Sequence, residues 1–248
     1  MSPLRIGRWA LGKVPRIVGS VTSPGTLRRA ALLRKPAFDL LELRLDRTGV
    51  QGAGWLAFCK RAERAGIPVI LTVRSAAEGG AWTGTEKERA AAYAKALPHV
   101  SAVDIEIRSP IFKTLAAAAR RSGKTVVGSF HDFRGTPAVA KLRRVIADGW
   151  RAGAHIVKIA TRVQRPQDAA VLFQLLGAGG RRPVCVIGMG PLGLSTRISL
   201  ACMGSCLAYG YVDRSAAPGQ LPCRRLRARL RECCPAFEES PPARRAAR

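Results

Sequence analysis

One unit recurs eight times along the chain: a short β-branched or aliphatic run, a polar loop, then an amphipathic stretch rich in Ala and Arg. The apolar runs occupy residues 16–20, 38–45, 68–74, 102–107, 125–131, 155–160, 183–188 and 206–212. Helix-like partners cover 26–34, 55–65, 85–97, 111–121, 137–147, 166–176, 195–203 and 223–233. Strands that alternate with helices imply a parallel sheet flanked by helices. Eight such units in 248 residues predict an α/β fold closed into a (β/α)8 TIM barrel, a single domain, in preference to an open doubly wound sheet. Gly188-Met-Gly190 lacks the third glycine and the acidic partner of a dinucleotide loop, so no nucleotide cofactor is expected.

The predicted barrel spans residues 15–235. Residues 1–14 would form a basic arm or short strand, and residues 236–248, with Pro241, Pro242 and several Arg, read as a disordered basic tail. No apolar run is long enough for a membrane span and the start lacks the pattern of a secretory signal, which predicts a soluble, cytoplasmic protein. Seven cysteines without a Cys-x-x-Cys pair, and only three His, predict reduced thiols and no metal site. The net charge of +26 favours non-specific, salt-dependent association with polyanions. The Arg residues are nevertheless dispersed over helix-like segments such as 142–145 and 224–231 rather than gathered with aromatics, which predicts a solvated basic exterior and not a dedicated nucleic-acid surface.

Within this frame Lys158 stands out. It interrupts an apolar strand, Gly153-Ala-His-Ile-Val-Lys-Ile-Ala-Thr161. Lys is rarely buried without a partner, and burial of an ammonium favours the neutral amine, a nucleophile toward carbonyls. An edge-strand Lys that snorkels to water is the competing reading, so the weight falls on its neighbours.

In β/α barrels the working residues sit at the carboxyl ends of the strands. Glu42, Arg44 and Asp46 alternate along the second run, which places all three on one face, inward if Leu41, Leu43 and Leu45 face the helices, where they bind a polar ligand or form a structural ion network. Arg74 ends the third run and Glu78-Gly-Gly80 follows it. His131 ends the fifth run, next in the barrel to the strand of Lys158, and His can act as acid or base near neutral pH. Arg197 follows a Gly-rich loop and could hold a carboxylate by two parallel hydrogen bonds. Gln220 lies in a turn after the eighth run, where it closes over a ligand or finishes the loop.

Together these segments resemble the type I 3-dehydroquinate dehydratases, imine-forming enzymes of the shikimate pathway. The matching stretches are Glu42-Leu-Arg-Leu-Asp46, Thr72-Val-Arg-Ser-Ala-Ala-Glu-Gly-Gly80, Ser129-Phe-His-Asp-Phe133, Val157-Lys-Ile-Ala160, Met189-Gly-Pro-Leu-Gly-Leu-Ser-Thr-Arg197 and Ala217-Pro-Gly-Gln220, in family order across roughly residues 15 to 233.

The resemblance implies that Lys158 forms a Schiff base with 3-dehydroquinate, that His131 is proton donor and acceptor, and that Glu78 orients His131. It implies substrate binding by Ser20, Glu42, Arg44, Arg74, Met189, Arg197, Ala216 and Gln220, with Asp46 holding Arg44 and with Glu106 and Asp132 in supporting places. It further implies a homodimer that needs no cofactor. Two positions depart from the family: Ala216 stands where several members carry Ser, and His155 where an acid is common. A different class I imine-forming barrel aldolase and a basic nucleic-acid-binding paralogue are the alternatives; His131 and Lys158 together with Glu42 and Arg44 disfavour the first.

Overall fold

The computed structural model describes residues 3–12, 14–29, 36–49, 54–177, 180 and 182–238. The N-terminal residues form a two-stranded antiparallel hairpin, β1 (Arg5–Ile6) and β2 (Trp9–Ala10). Ile6, Trp9 and Leu11 are buried beneath the main sheet, so this arm plugs the barrel rather than trailing from it.

The eight apolar runs become eight parallel strands: β3 (Arg16–Val21), β4 (Leu40–Arg44), β5 (Val69–Thr72), β6 (Ala102–Glu106), β7 (Thr125–Asp132), β8 (Ile156–Arg162), β9 (Val184–Met189) and β10 (Leu207–Tyr211). Their order is β10-β3-β4-β5-β6-β7-β8-β9. At the seam between β9 and β10 the Cys206 N–H donates to the Val184 carbonyl at 2.9 Å, and the Val186 N–H to the Ser205 hydroxyl at 2.9 Å. The ring of strands is thereby nearly closed.

Outward-facing side chains pack under the helices α2 (Gly54–Arg64), α3 (Glu86–Ala96), α4 (Phe112–Arg121), α5 (Val139–Arg151), α6 (Pro166–Phe173), α7 (Gly193–Cys202) and α8 (Cys223–Cys233). Each start has a local cause where the sequence supplies one. Thr85 and Glu88 exchange hydrogen bonds in a capping box at α3, and Pro166 opens α6. Leu226 and Leu230, four apart, bury one face of α8 while Arg224, Arg225, Arg229 and Arg231 face solvent. The positive charge of such segments lies on the exterior.

The inner layer changes character along the barrel axis. Val18, Leu40, Ile70, Ala102, Val127 and Ile156 form an apolar floor with the hairpin. Two residues further along each strand, hence on the same face, stand Ser20, Glu42, Thr72, Asp104, Ser129 and Lys158, all buried. The period-two rule thus sets a ring of polar side chains on a hydrophobic base.

Three expectations need correction. The segment after β3 opens on a 3-10 turn, Pro24–Arg28, where an α-helix from residue 26 is expected; residues 30–35 of that expected helix lie outside the described ones. The second strand stops at Arg44, and Asp46 belongs to a helical turn, α1 (Leu45–Thr48), not to the strand face. The polypeptide remains folded past residue 235, in α9 (Pro235–Glu238), because Phe237 is an apolar side chain that packs on the core beneath the Arg227 guanidinium. The rest of the expected tail, residues 239–248, lies outside the described residues.

Candidate active site

Strand register brings the chemistry together. On the paired strands β7 and β8, Ser129 lies opposite Lys158 and His131 opposite Ala160, so the imidazole stands one inward position above the amine. Lys158 is 3% exposed. Its surroundings are not merely apolar: Nζ lies 2.5 Å from Asp104 Oδ2 and 4.5 Å from the centre of the Tyr209 ring.

Asp104 was not among the sequence-derived candidates, yet it is the electrostatic centre of the site. It also accepts from Arg74 Nη2 at 2.7 Å and Ser129 Oγ at 2.6 Å. Burial pushes this acid up, but Arg74, then Lys158 and His131, outweigh it and hold the carboxyl well below the usual range. Arg74 in turn bonds Ser129 Oγ at 2.7 Å and Glu106 at 3.1 Å, and Glu106 is braced by Arg89 at 2.8 Å and the Ser75 N–H at 2.8 Å. The expected supporting place of Glu106 is behind Arg74. Asp132 instead accepts the Arg134 and Gly135 N–H groups in a local turn.

His131 and Glu78 form a dyad. Glu78 Oε2 lies 2.9 Å from His131 Nδ1 and accepts the His131 backbone N–H at 2.8 Å. Burial first, then Arg74 and Lys158, push the imidazole well below its ordinary value, so it is neutral at neutral pH and Nε2 is free to take a proton. The two glycines after Glu78 have separate causes. Gly79 adopts φ +76 where the 3-10 turn Ala76–Glu78 ends. A Cβ on Gly80 would stand 2.0 Å from the Arg74 carbonyl oxygen, a contact that no side chain tolerates. The Gly-Gly pair is what lets the carboxylate fold back onto the neighbouring strand ends.

On the opposite wall Glu42 accepts hydroxyl hydrogens from Ser20 at 2.6 Å and Thr72 at 2.9 Å. Arg44 is clamped by Asp46 through two parallel bonds of 2.9 and 2.8 Å. Gln220 both finishes its loop, accepting the Ala216 N–H at 2.8 Å, and reaches Ser20 Oγ at 3.4 Å. Ser215 is exposed and its hydroxyl bonds the Ala217 carbonyl, so it is turned onto its own loop. Met189 ends β9 as a buried wall.

Arg197, on α7, is the odd cation. It is buried, its Nε has no partner, and its one hydrogen bond among the described residues runs to the Pro218 carbonyl at 3.2 Å. Burial lowers its pKa to about 10. A desolvated guanidinium without a carboxylate is costly unless a ligand supplies the charge.

The three side chains expected to react and the eight expected to bind substrate all line one cavity, which with its mouth encloses about 510 Å³; Phe133 and Tyr209 join them. Among the described residues no group of three or more His, Cys, Asp or Glu is arranged to hold a metal. His155 lies elsewhere: its Nδ1 accepts the Val126 N–H at 3.0 Å, and burial followed by Arg120 keeps the ring neutral for that task.

The model of the type I 3-dehydroquinase family matches residues 17–233. The chain belongs to that family. Relatives that carry the name 3-dehydroquinate dehydratase include one from Methanocella arvoryzae, 34% identical over 209 residues, covering 84% of this chain and 91% of the relative. A second, from Methanosarcina barkeri, is 35% identical over 232 residues, covering 88% and 94%. The crystal structure of 3-dehydroquinate dehydratase from Geobacillus kaustophilus superposes with a TM-score of 0.84 at 27% identity, covering 92% of this chain and 95% of that one. The family fold is thus the nearly closed barrel described above. Among the described residues no helix is long and apolar enough to cross a membrane.

Proposed function

We propose that this cavity dehydrates 3-dehydroquinate to 3-dehydroshikimate through an imine on Lys158, as a hydro-lyase of the type I 3-dehydroquinase family. The observation that carries the reading is that Lys158 and His131 sit on paired strands and open on the same cavity.

The Lys158 amine adds to the C3 ketone, and the proton that its ammonium form released returns to the carbinolamine hydroxyl, which departs as water and leaves a cationic imine. That cation stays beside Asp104, which remains ionised and serves as its counter-ion. The imine acidifies the C2 proton, and His131, neutral and oriented by Glu78, accepts it at Nε2. The resulting enamine expels the C1 hydroxyl, to which protonated His131 returns the proton, so one water leaves. Hydrolysis of the imine releases the enone and restores the amine. Arg197 supplies the uncompensated charge that a substrate carboxylate would meet, with Gln220 beside it. Glu42 retains lone pairs for a ring hydroxyl, and Arg44 is held in place by Asp46. Both Nη groups of Arg74 are engaged by Asp104, Glu106 and Ser129, which makes it a wall that sets charge as much as a binding group. Ser20, Met189 and Ala216 complete the lining. A homodimer in the cytoplasm completes the proposal.

Borohydride reduction during turnover, followed by mass spectrometry, tests it. An adduct on Lys158 is expected, together with rising enone absorbance in untreated enzyme; His131→Ala should keep the adduct and lose elimination. Labelling at another residue, or none with substrate present, would sink the reading.

A further inference from the structure

On the imine reading His131 depends on Glu78, and the structure shows what holds Glu78. Of its two carboxylate oxygens, Oε2 is occupied by His131. The other, Oε1, accepts from Arg108 Nε at 3.1 Å and lies 3.1 Å from Arg108 Nη2; among the described residues no other donor reaches it. Arg108 comes from the loop after β6. Its guanidinium lies 4.4 Å from the centre of the Phe130 ring, and Nη2 stands 3.5 Å from the His131 carbonyl oxygen. The group thus grips the carboxylate that orients the base and the backbone that carries it. Its side chain is 56% exposed while that of Glu78 is 4% exposed, and it is not among the residues that line the cavity.

We propose that Arg108 is a positioning residue: seated on Phe130, it fixes the Glu78 carboxylate in the rotation that orients His131 and so sets the rate of elimination without touching substrate.

The charged groups facing Glu78 are Arg74 just beyond β5, Glu106 at the end of β6, Arg108 in the following loop and His131 on β7. Burial pushes the Glu78 acid up; Arg74 and then Arg108 oppose this, while Glu106 adds to it. Arg74 is shared with Asp104 and Glu106. Removing Arg108 therefore leaves burial and Glu106 less opposed, and Glu78 takes its proton at higher pH. A protonated Glu78 cannot offset the charge that His131 gains when it removes the C2 proton.

The test is the pH dependence of kcat in Arg108→Gln and Arg108→Lys beside the wild type, with borohydride trapping run on all three. Arg108→Gln should lower kcat about tenfold, leave KM within about twofold, and move the acid limb to higher pH. Trapping at Lys158 should proceed at the wild-type rate, and Arg108→Lys should recover most of the loss. Raising salt should shift the acid limb upward in the wild type, through screening of the half-exposed guanidinium, and leave Arg108→Gln unmoved. That salt comparison on the wild type alone settles the matter should the Gln variant fail to fold. An Arg108→Gln profile that superposes on the wild type, or a salt-independent wild-type limb, overturns the inference while leaving the imine reading intact. Absence of any wild-type adduct overturns that reading, and this inference with it.

Discussion

The Asp104 carboxylate lies 2.5 Å from the Lys158 amine, and it is shared with Arg74 at 2.7 Å. One acid thus faces two buried cations, of which, among the described residues, only Arg74 has a second carboxylate, Glu106, and Asp104, Lys158 and Arg74 are nearly inaccessible to water. Removing one partner of such a cluster leaves charge stranded at low dielectric, which costs more than the cluster contributes when intact. Asp104→Asn should therefore lower the unfolding free energy by about 3–5 kcal/mol, read by urea denaturation. The same variant should form the Lys158 adduct far more slowly, since the imine cation loses its counter-ion. Wild-type stability in Asp104→Asn would show that the cluster does not depend on this charge.

The sequence made the ring of strands legible because every run is short, β-branched and followed by an amphipathic stretch, and strand ends in such a ring converge by construction. Asp104 escaped although the same alternation that placed Glu42 and Arg44 inward also places Asp104 and Glu106 inward on β6. Its partners come from the segment just after β5 and from β7 and β8, and cross-strand register is not written in any one segment. Asp46 was assigned to a strand face because alternation continues past Arg44, whereas the backbone turns helical at Leu45. Arg108 carries no periodic signal at all, being a loop residue defined only by what it reaches.

The His131 imidazole gives the fold a pH dependence of known sign. Burial, Arg74 and Lys158 keep it unprotonated in the folded protein well below the ordinary value of 6.5, at which the unfolded chain takes up its proton. Stability is full above that value and declines as pH falls below it, because the unfolded state binds the extra proton. Between pH 6.5 and 5.5 the loss should approach about 1 kcal/mol, and His131→Gln should abolish that component. Glu78, whose acid is raised, contributes with the opposite sign, so the comparison of wild type with His131→Gln by denaturation at both pH values isolates the imidazole. Parallel curves for the two proteins would contradict the assignment.

Ala216 lines the cavity without a hydroxyl of its own, and its N–H is already held by Gln220. Ala216→Ser adds a donor at a loop whose backbone is fixed, so ordering it costs little. KM for 3-dehydroquinate should fall about two- to tenfold, the range of one added hydrogen bond, with kcat nearly unchanged. Steady-state kinetics read this directly, and an unchanged KM would mean that the added hydroxyl turns back on its own loop as Ser215 does.

Arg197 should behave oppositely to Asp104. Its guanidinium is buried, its Nε has no partner and no carboxylate of the described residues pairs with it, so the folded protein carries its desolvation cost without return until a ligand binds. Arg197→Met fills similar volume without the charge. It should leave stability unchanged or raise it by about 1–3 kcal/mol, measured by the same denaturation as for Asp104→Asn. Binding should suffer, because a charge-assisted bond to a carboxylate is worth about 1.5–3 kcal/mol, equivalent to a rise in KM of roughly ten- to a hundredfold. A variant that is both less stable and unimpaired in binding would mark Arg197 as a structural brace, and the carboxylate would have to be held elsewhere in the cavity.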